Sequence, residues 1–131
     1  MNYPVAIESE KGRAFGIVVP DLPGCFSAGD SMDEALSNAR EAILMHLEAL
    51  IDGGETIPKP SPIEVLSLRR EFRGRVWAMI GVDLSQLEGK TCRVNITLPA
   101  RVLRRIDAAA SKRGESRSGF IASASLQLAV K

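Results

Sequence analysis

The sequence predicts an α+β fold in two modules: a strand–strand–short strand–helix–strand body, then a strand–helix–helix unit. Three observations carry this. Two apolar runs near the N-terminus, "YPVAIES" and "AFGIVV", flank the turn-like "EKGR" (Glu10 to Arg13) and read as a hairpin. A capped amphipathic helix begins after Ser31 and stops at Gly53 and Gly54. Near the C-terminus "RVNITL" alternates polar and apolar residues and is followed at once by two helical patterns.

Each element has a local cause. In "YPVAIES" Val5 and Ile7 share one strand face, because successive side chains point to opposite sides. "PDLPGCFSAGDS" (Pro20 to Ser31) holds two prolines and two glycines, which is loop chemistry with at most a short strand at Cys25 to Ala28. Ser31 stands three residues before Glu34, a capping box, and Asp33 adds charge where the helix dipole favours it. Leu36, Ala39, Ile43, Leu47 and Leu50 then recur at helical steps, so one stripe packs on a sheet. "ETIPKPSPIEVL" holds three prolines and reads as a stiff connector with a short helix from Pro62. "RVWAMIGVDL" (Arg75 to Leu84) is a further strand with Trp77 packed. The body spans 1–84, a polar linker 85–91, and the second module 92–131.

The 131 residues suit one ordinary domain, or one small domain plus a smaller module. No apolar run of about 18 residues is present, so no membrane span is expected. The N-terminus lacks a secretory pattern, and the two cysteines, Cys25 and Cys92, read as free thiols in a reducing cytoplasm. A single histidine, His46, does not make a zinc site; it flanks the helix stripe as a boundary residue. We expect no metal and no cofactor. A net charge of +1 hides an asymmetry: from Cys92 onward eight basic side chains meet two acidic ones (+6), while the first 91 residues carry nine basic and 14 acidic (−5). A basic tail on an acidic body suggests two surfaces for two kinds of partner.

In the second module Pro99 opens a helix with Val102, Leu103, Ile106 and Ala110 as its stripe. Gly114 ends it, and Ser116 caps a second helix in which Phe120, Ile121, Ala124 and Leu128 recur on one side. So short a unit cannot bury a sufficient core alone, and its single strand has no partner for its backbone groups. Two copies pairing their strands antiparallel solve both problems and give a two-fold dimer. The ribbon's outer face then carries Arg93, Asn95 and Thr97, twice. A two-stranded ribbon enters the DNA major groove, where arginine suits guanine, asparagine suits adenine, and threonine offers a hydroxyl or a methyl. Ser116, Arg117 and Ser118 stand at a helix N-terminus suited to a backbone phosphate. "RVNITLPARVLRRIDAAASKRGESRSGFI" accordingly resembles the ribbon-helix-helix repressor family. That resemblance assigns Arg93, Asn95 and Thr97 to base contacts and Ser116 to Ser118 to the phosphate anchor.

"VPDLPGCFSAGDSMDEALSNAREAI" (Val19 to Ile43), with the hairpin before it, resembles HicB-type antitoxins. The resemblance implies a partial RNase H-like N-terminal fold and, as partner, a HicA-like toxin, a small basic RNase that cleaves mRNA. An acidic body can be steered onto such a protein, with Asp21 and Asp30 as candidate toxin contacts; Asp33 and Glu34 serve the helix. No catalytic role is expected. The strands offer only Glu8 and Asp83, short of a two-metal carboxylate set, and Cys25 has no base beside it. The expected function is neutralisation of the toxin by direct binding, together with repression of the chain's own operon as a homodimer on operator double-stranded DNA, with two dimers able to join as a tetramer on adjacent half-sites. The alternative is a ligand-responsive ribbon-helix-helix regulator without a toxin partner.

Overall fold

The computed structural model describes residues 1–10 and 14–129; the turn expected at Gly12 lies outside them. Strands β1 (Asn2–Glu10), β2 (Ala14–Val18), β3 (Phe26–Gly29) and β4 (Val76–Gly81) form an antiparallel sheet in the order β3-β2-β1-β4. β1 is central. Its Ala6 faces Val18 on one side and Trp77 on the other, and Tyr3 faces Ile80. The "PDLPG" loop is a compact turn in which Leu22 N–H donates to Val19 O (3.0 Å) and Cys25 N–H to Leu22 O (3.0 Å).

Helix α1 (Met32–Asp52) starts where the capping residues put it: Ser31 Oγ accepts the Glu34 N–H at 3.1 Å. It ends where Gly53 N–H closes on Ala49 O and Gly54 turns to a positive φ of 68°, a conformation glycine adopts at little cost. Ala35, Ala39, Ile43 and Leu47 are fully buried against Tyr3, Val5, Ile7, Ile17 and Ile80. Each large side chain so buried contributes about 1.5–3 kcal/mol. Gly29 lets the first turn of α1 sit on β3, since a Cβ there would press into the Ala35 backbone, with Ala35 Cα at 2.8 Å.

The other sheet face is covered by the connector. Alternation puts Pro4, Ala6 and Trp77 on that side. Helix α2 (Ile63–Leu66) begins after Pro62, as expected, and buries Leu66. A 3-10 turn at Arg70–Phe72, absent from the sequence reading, buries Phe72, whose ring meets Trp77 edge-on at 5.5 Å between centroids.

Helices α3 (Ala100–Lys112) and α4 (Arg117–Leu128) form the C-terminal pair. They do not hang free of the body. A 3-10 turn at Leu84–Gln86 packs against α4, and Leu87, Ala122 and Leu126 join the main core. The face of α4 that docks is made of Gly119, Ala122, Ser123 and Leu126. The stripe expected to be its packing face is the more open one, with Leu128 83% exposed. The sequence stripe marks a surface that the single chain leaves uncovered.

Candidate nucleic-acid interface

The segment Cys92–Leu98 makes no backbone hydrogen bond among the described residues and pairs with no strand of the sheet. Its side chains are exposed, with Val94 73% and Ile96 61% accessible; only Leu98 is half-buried. Beside it lies an open groove of about 560 Å³ of mixed lining: Val94, Ile96, Leu98, Leu103 and Ile121 are its apolar part, and Asn95, Thr97, Arg117 and Ser118 line it as well. Water can serve the exposed backbone groups, but they remain open to pairing with another strand, and the exposed Val94 and Ile96 are apolar surface that a partner could bury. Arg93, Asn95 and Thr97 are solvent-exposed, and none forms an ion pair or a side-chain hydrogen bond among the described residues.

The expected phosphate anchor is more occupied than its sequence suggests. Ser116 caps α4 by accepting the Gly119 N–H on Oγ at 3.0 Å, and its own N–H donates to Asp83 Oδ2 at 2.8 Å. Asp83 Oδ1 accepts from Ser85 N–H (2.9 Å) and Ser85 Oγ–H (2.7 Å), and the Ser85 and Ser116 hydroxyls lie 3.1 Å apart. Partial burial alone would raise the Asp83 carboxyl's pKa; the hydrogen bonds from Ser116 and Ser85 outweigh it and hold the pKa at about 2. Gly119 is required by this arrangement, because a Cβ there would overlap the Asp83 carboxylate. Arg117 is held by a two-pronged pair with Asp107, Nε to Oδ1 at 2.8 Å and a terminal guanidinium N–H to Oδ2 at 2.9 Å. That pair keeps the Asp107 carboxyl below and the Arg117 guanidinium above their ordinary pKa values. Ser118 is exposed at the same helix end. Arg113 lies over the Phe120 ring at 5.4 Å and steadies the α3–α4 turn.

The acidic candidates separate. Asp21 is spent on the connector: its carboxylate accepts from Ser61 N–H (2.9 Å) and Ser61 Oγ–H (2.5 Å). Asp30 is exposed and in no ion pair among the described residues. The strand carboxylates have structural partners too, Glu8 with Arg75 at 3.2 Å and Asp83 with α4. Burial pushes the Cys25 thiol's pKa up, away from a reactive thiolate. Among the described residues no group of three or more His, Cys, Asp or Glu side chains is placed to hold a metal ion, and no helix is long and apolar enough to cross a membrane. The residues missed by sequence reasoning are Asp83 and Ser85 as partners of α4. The "VDLS" stretch looks like a strand end with a cap, and nothing in it points to a helix 33 residues away.

The family described as HicB-like antitoxin of bacterial toxin–antitoxin systems matches residues 3–125. A 14.9 kDa protein from the rep–hol intergenic region of Haemophilus phage HP1 is 44% identical over 107 residues, covering 82% of this chain and 80% of that protein. The crystal structure of the Burkholderia pseudomallei antitoxin HicB is similar over 99% of both chains, with a TM-score of 0.77 and 44% identity. A chain of a HicA3 and HicB3 toxin–antitoxin complex is similar over 60% of this chain and 94% of that one, at TM-score 0.53 and 29% identity.

Proposed function

Because this chain belongs to the HicB-like antitoxin family, we propose that it performs two binding tasks in the cytoplasm. Residues 1–84 bind and neutralise a HicA-like mRNA-cleaving toxin. Residues 92–131 form a ribbon-helix-helix unit that dimerises and represses the chain's own operon. No bond is made or broken by this protein in either task.

One observation supports the DNA reading: the unpaired, exposed Cys92–Leu98 segment, with Val94 and Ile96 uncovered, borders an open groove whose apolar part is completed by Leu103 and Ile121. A second copy supplying the matching strand satisfies the backbone groups and covers Val94, Ile96 and the α4 stripe in a single step. The same pairing turns Arg93, Asn95 and Thr97 outward in duplicate, as a ribbon of the size the major groove admits. Ser118 and the N-terminal N–H groups of α4 stand at the flank for a phosphate, while Ser116 and Arg117 orient that helix through Asp83 and Asp107. The toxin reading is supported by the structural likeness to a chain of the HicA3 and HicB3 toxin–antitoxin complex, which falls on 60% of this chain.

The test separates the two tasks. Arg93→Ala is expected to weaken operator binding by about 1–3 kcal/mol, the worth of a bidentate base contact. The same variant should still rescue growth when co-expressed with the toxin. Loss of rescue with intact operator binding would reverse the assignment of the two modules.

A further inference from the structure

A second open groove, of about 370 Å³, runs between the outer face of α1 and the stretch that leaves β4 for the C-terminal module. Leu44, Met45 and Leu87 form its apolar floor, and Glu41, Glu48 and Glu88 rim it. We propose that this groove is where the basic toxin partner docks; the inference rests on the toxin-binding reading above and gives that reading an address.

The argument starts from where the acidic charge lies. The body's excess is not spread evenly: α1 alone carries five carboxylates (Asp33, Glu34, Glu41, Glu48, Asp52) against one arginine, Arg40. Four arginines of the body, Arg69, Arg70, Arg73 and Arg75, sit instead in the turn before β4, at the opposite end of that strand from Leu87. A basic protein approaching this surface is therefore drawn to the α1 side and repelled from the other.

Glu41, Glu48 and Glu88 have no ion-pair or side-chain hydrogen-bond partner among the described residues, so the fold does not use them. This contrasts with Asp21, whose oxygens are taken by Ser61. The three carboxylates surround Met45, which is 70% exposed on the helix face opposite Ala39, Ile43 and Leu47. A flexible, polarisable methionine in the middle of a charged rim is the composition of an interface anchor. The spacing of Glu41, Leu44, Met45 and Glu48 places all four on one side of two helical turns. A basic partner with an apolar side chain for the floor and Lys or Arg at the rim fits it. A nucleic acid is excluded by the sign of the rim.

The experiment uses the full chain and the HicA-type toxin of its own operon in catalytically inactive form, with Kd measured by calorimetry at low and high salt. Glu41→Lys combined with Glu48→Lys should weaken toxin binding at least about tenfold and flatten its salt dependence. Met45→Ser should weaken it severalfold with the salt dependence unchanged. All three positions lie on the solvent side of α1, so melting temperature and oligomeric state should stay those of the parent. Glu55→Lys combined with Glu64→Lys changes the net charge equally, at exposed positions off the groove, and should change Kd much less. Parent-like binding by the groove variants, with the parent binding tightly, overturns the groove and leaves the toxin reading standing. Equal weakening by both charge-reversed pairs reduces the effect to long-range steering and also overturns it. A change in oligomeric state makes the groove a contact between copies of this chain and overturns it as well. A parent chain that captures no toxin overturns both readings.

Discussion

Replacing Asp83 should weaken the docking of α4 on the body, and the size of the effect follows from its contacts. Its carboxylate accepts three hydrogen bonds, from Ser116 N–H, Ser85 N–H and Ser85 Oγ–H, at 2.7–2.9 Å. Hydrogen bonds to a charged acceptor contribute roughly 1.5–3 kcal/mol each where water is excluded, and less at this partly exposed site. Linkage provides a second figure for the same hydrogen bonds. Lowering a carboxyl's pKa from 3.8 to about 2 corresponds to about 2 kcal/mol if fully counted, and solvent screening brings it to about 1–2 kcal/mol. Asp83→Ala should therefore cost about 1–2 kcal/mol in urea unfolding followed by circular dichroism at fixed protomer concentration, a Tm loss of roughly 5 °C. Because the folded-state pKa is depressed, the contribution is present above pH 3.8 and is lost as pH falls toward 2. The gap between parent and variant should close over that window. Gly119 supplies the decisive arm. In the parent, Gly119→Ala should destabilise, since the new Cβ overlaps the Asp83 carboxylate. In the Asp83→Ala background the same change should be neutral to stabilising by up to about 1 kcal/mol, the helix preference of alanine over glycine. A Gly119→Ala cost of the same size in both backgrounds, or a pH-independent Asp83→Ala effect, would refute the reasoning.

Other expectations are more local. Ile96→Asp, at the exposed apolar row of the unpaired segment, should leave the body folded and shift the chain toward monomer in sedimentation velocity at micromolar concentration; an unchanged dimer would remove the strand-pairing account. Tyr3→Phe removes the phenol that donates to Pro58 O at 2.6 Å inside the core and should cost about 1–3 kcal/mol in chemical denaturation, because the carbonyl is left without its donor. In the parent, burial and the nearby Asp21 charge hold the Tyr3 phenol well above its ordinary pKa, so spectrophotometric titration should show no ionisation of the folded chain near pH 10, this being the sequence's one tyrosine. Gly29→Ala sets a side chain against the Ala35 backbone, where a helix cannot yield as a flexible side chain can, and should lower stability by more than an exposed Gly→Ala change would.

The sequence made legible those features whose causes are local. The Ser31–Glu34 box, the Gly53–Gly54 stop, the Ala39–Ile43–Leu47 stripe and the hairpin are each set within a few residues, and the structure has them where the pattern puts them. The unpaired segment at Cys92–Leu98 was legible for the same reason: alternation is local, and the lack of a partner follows from counting strands. The coverage of the second sheet face was not, because "LRREFRGR" has no period and Phe72 finds Trp77 only after the connector has turned back along the sheet. The second face of α4 was hidden more deeply. Gly119, Ala122 and Ser123 read only as small residues between the larger ones of the expected stripe. Their small size is what allows the body to approach, with Asp83 filling the space over Gly119.

That docking changes what the two halves of the chain are to each other. The sequence places a polar linker, 85–91, between the proposed toxin-binding body and the proposed DNA-binding unit. Here Leu84 and Leu87 are packed with the core, and Asp83 and Ser85 hold the N-terminal end of α4. Between the modules, the stretch from Glu88 to Thr91 that leads into the exposed Cys92–Leu98 segment is itself exposed. The proposed toxin groove has Leu87 and Glu88 on its second side, so a partner seated there rests on the residues that lead into the Cys92–Leu98 segment proposed to contact DNA. A two-site protein built this way couples its ligands only if one of them prefers one arrangement of that stretch. Toxin binding that shifts operator affinity in the parent should lose that coupling when Asp83→Ala weakens the docking of α4, while toxin affinity itself stays within a few-fold. Coupling that survives the loss of Asp83 would have to pass through the dimer instead.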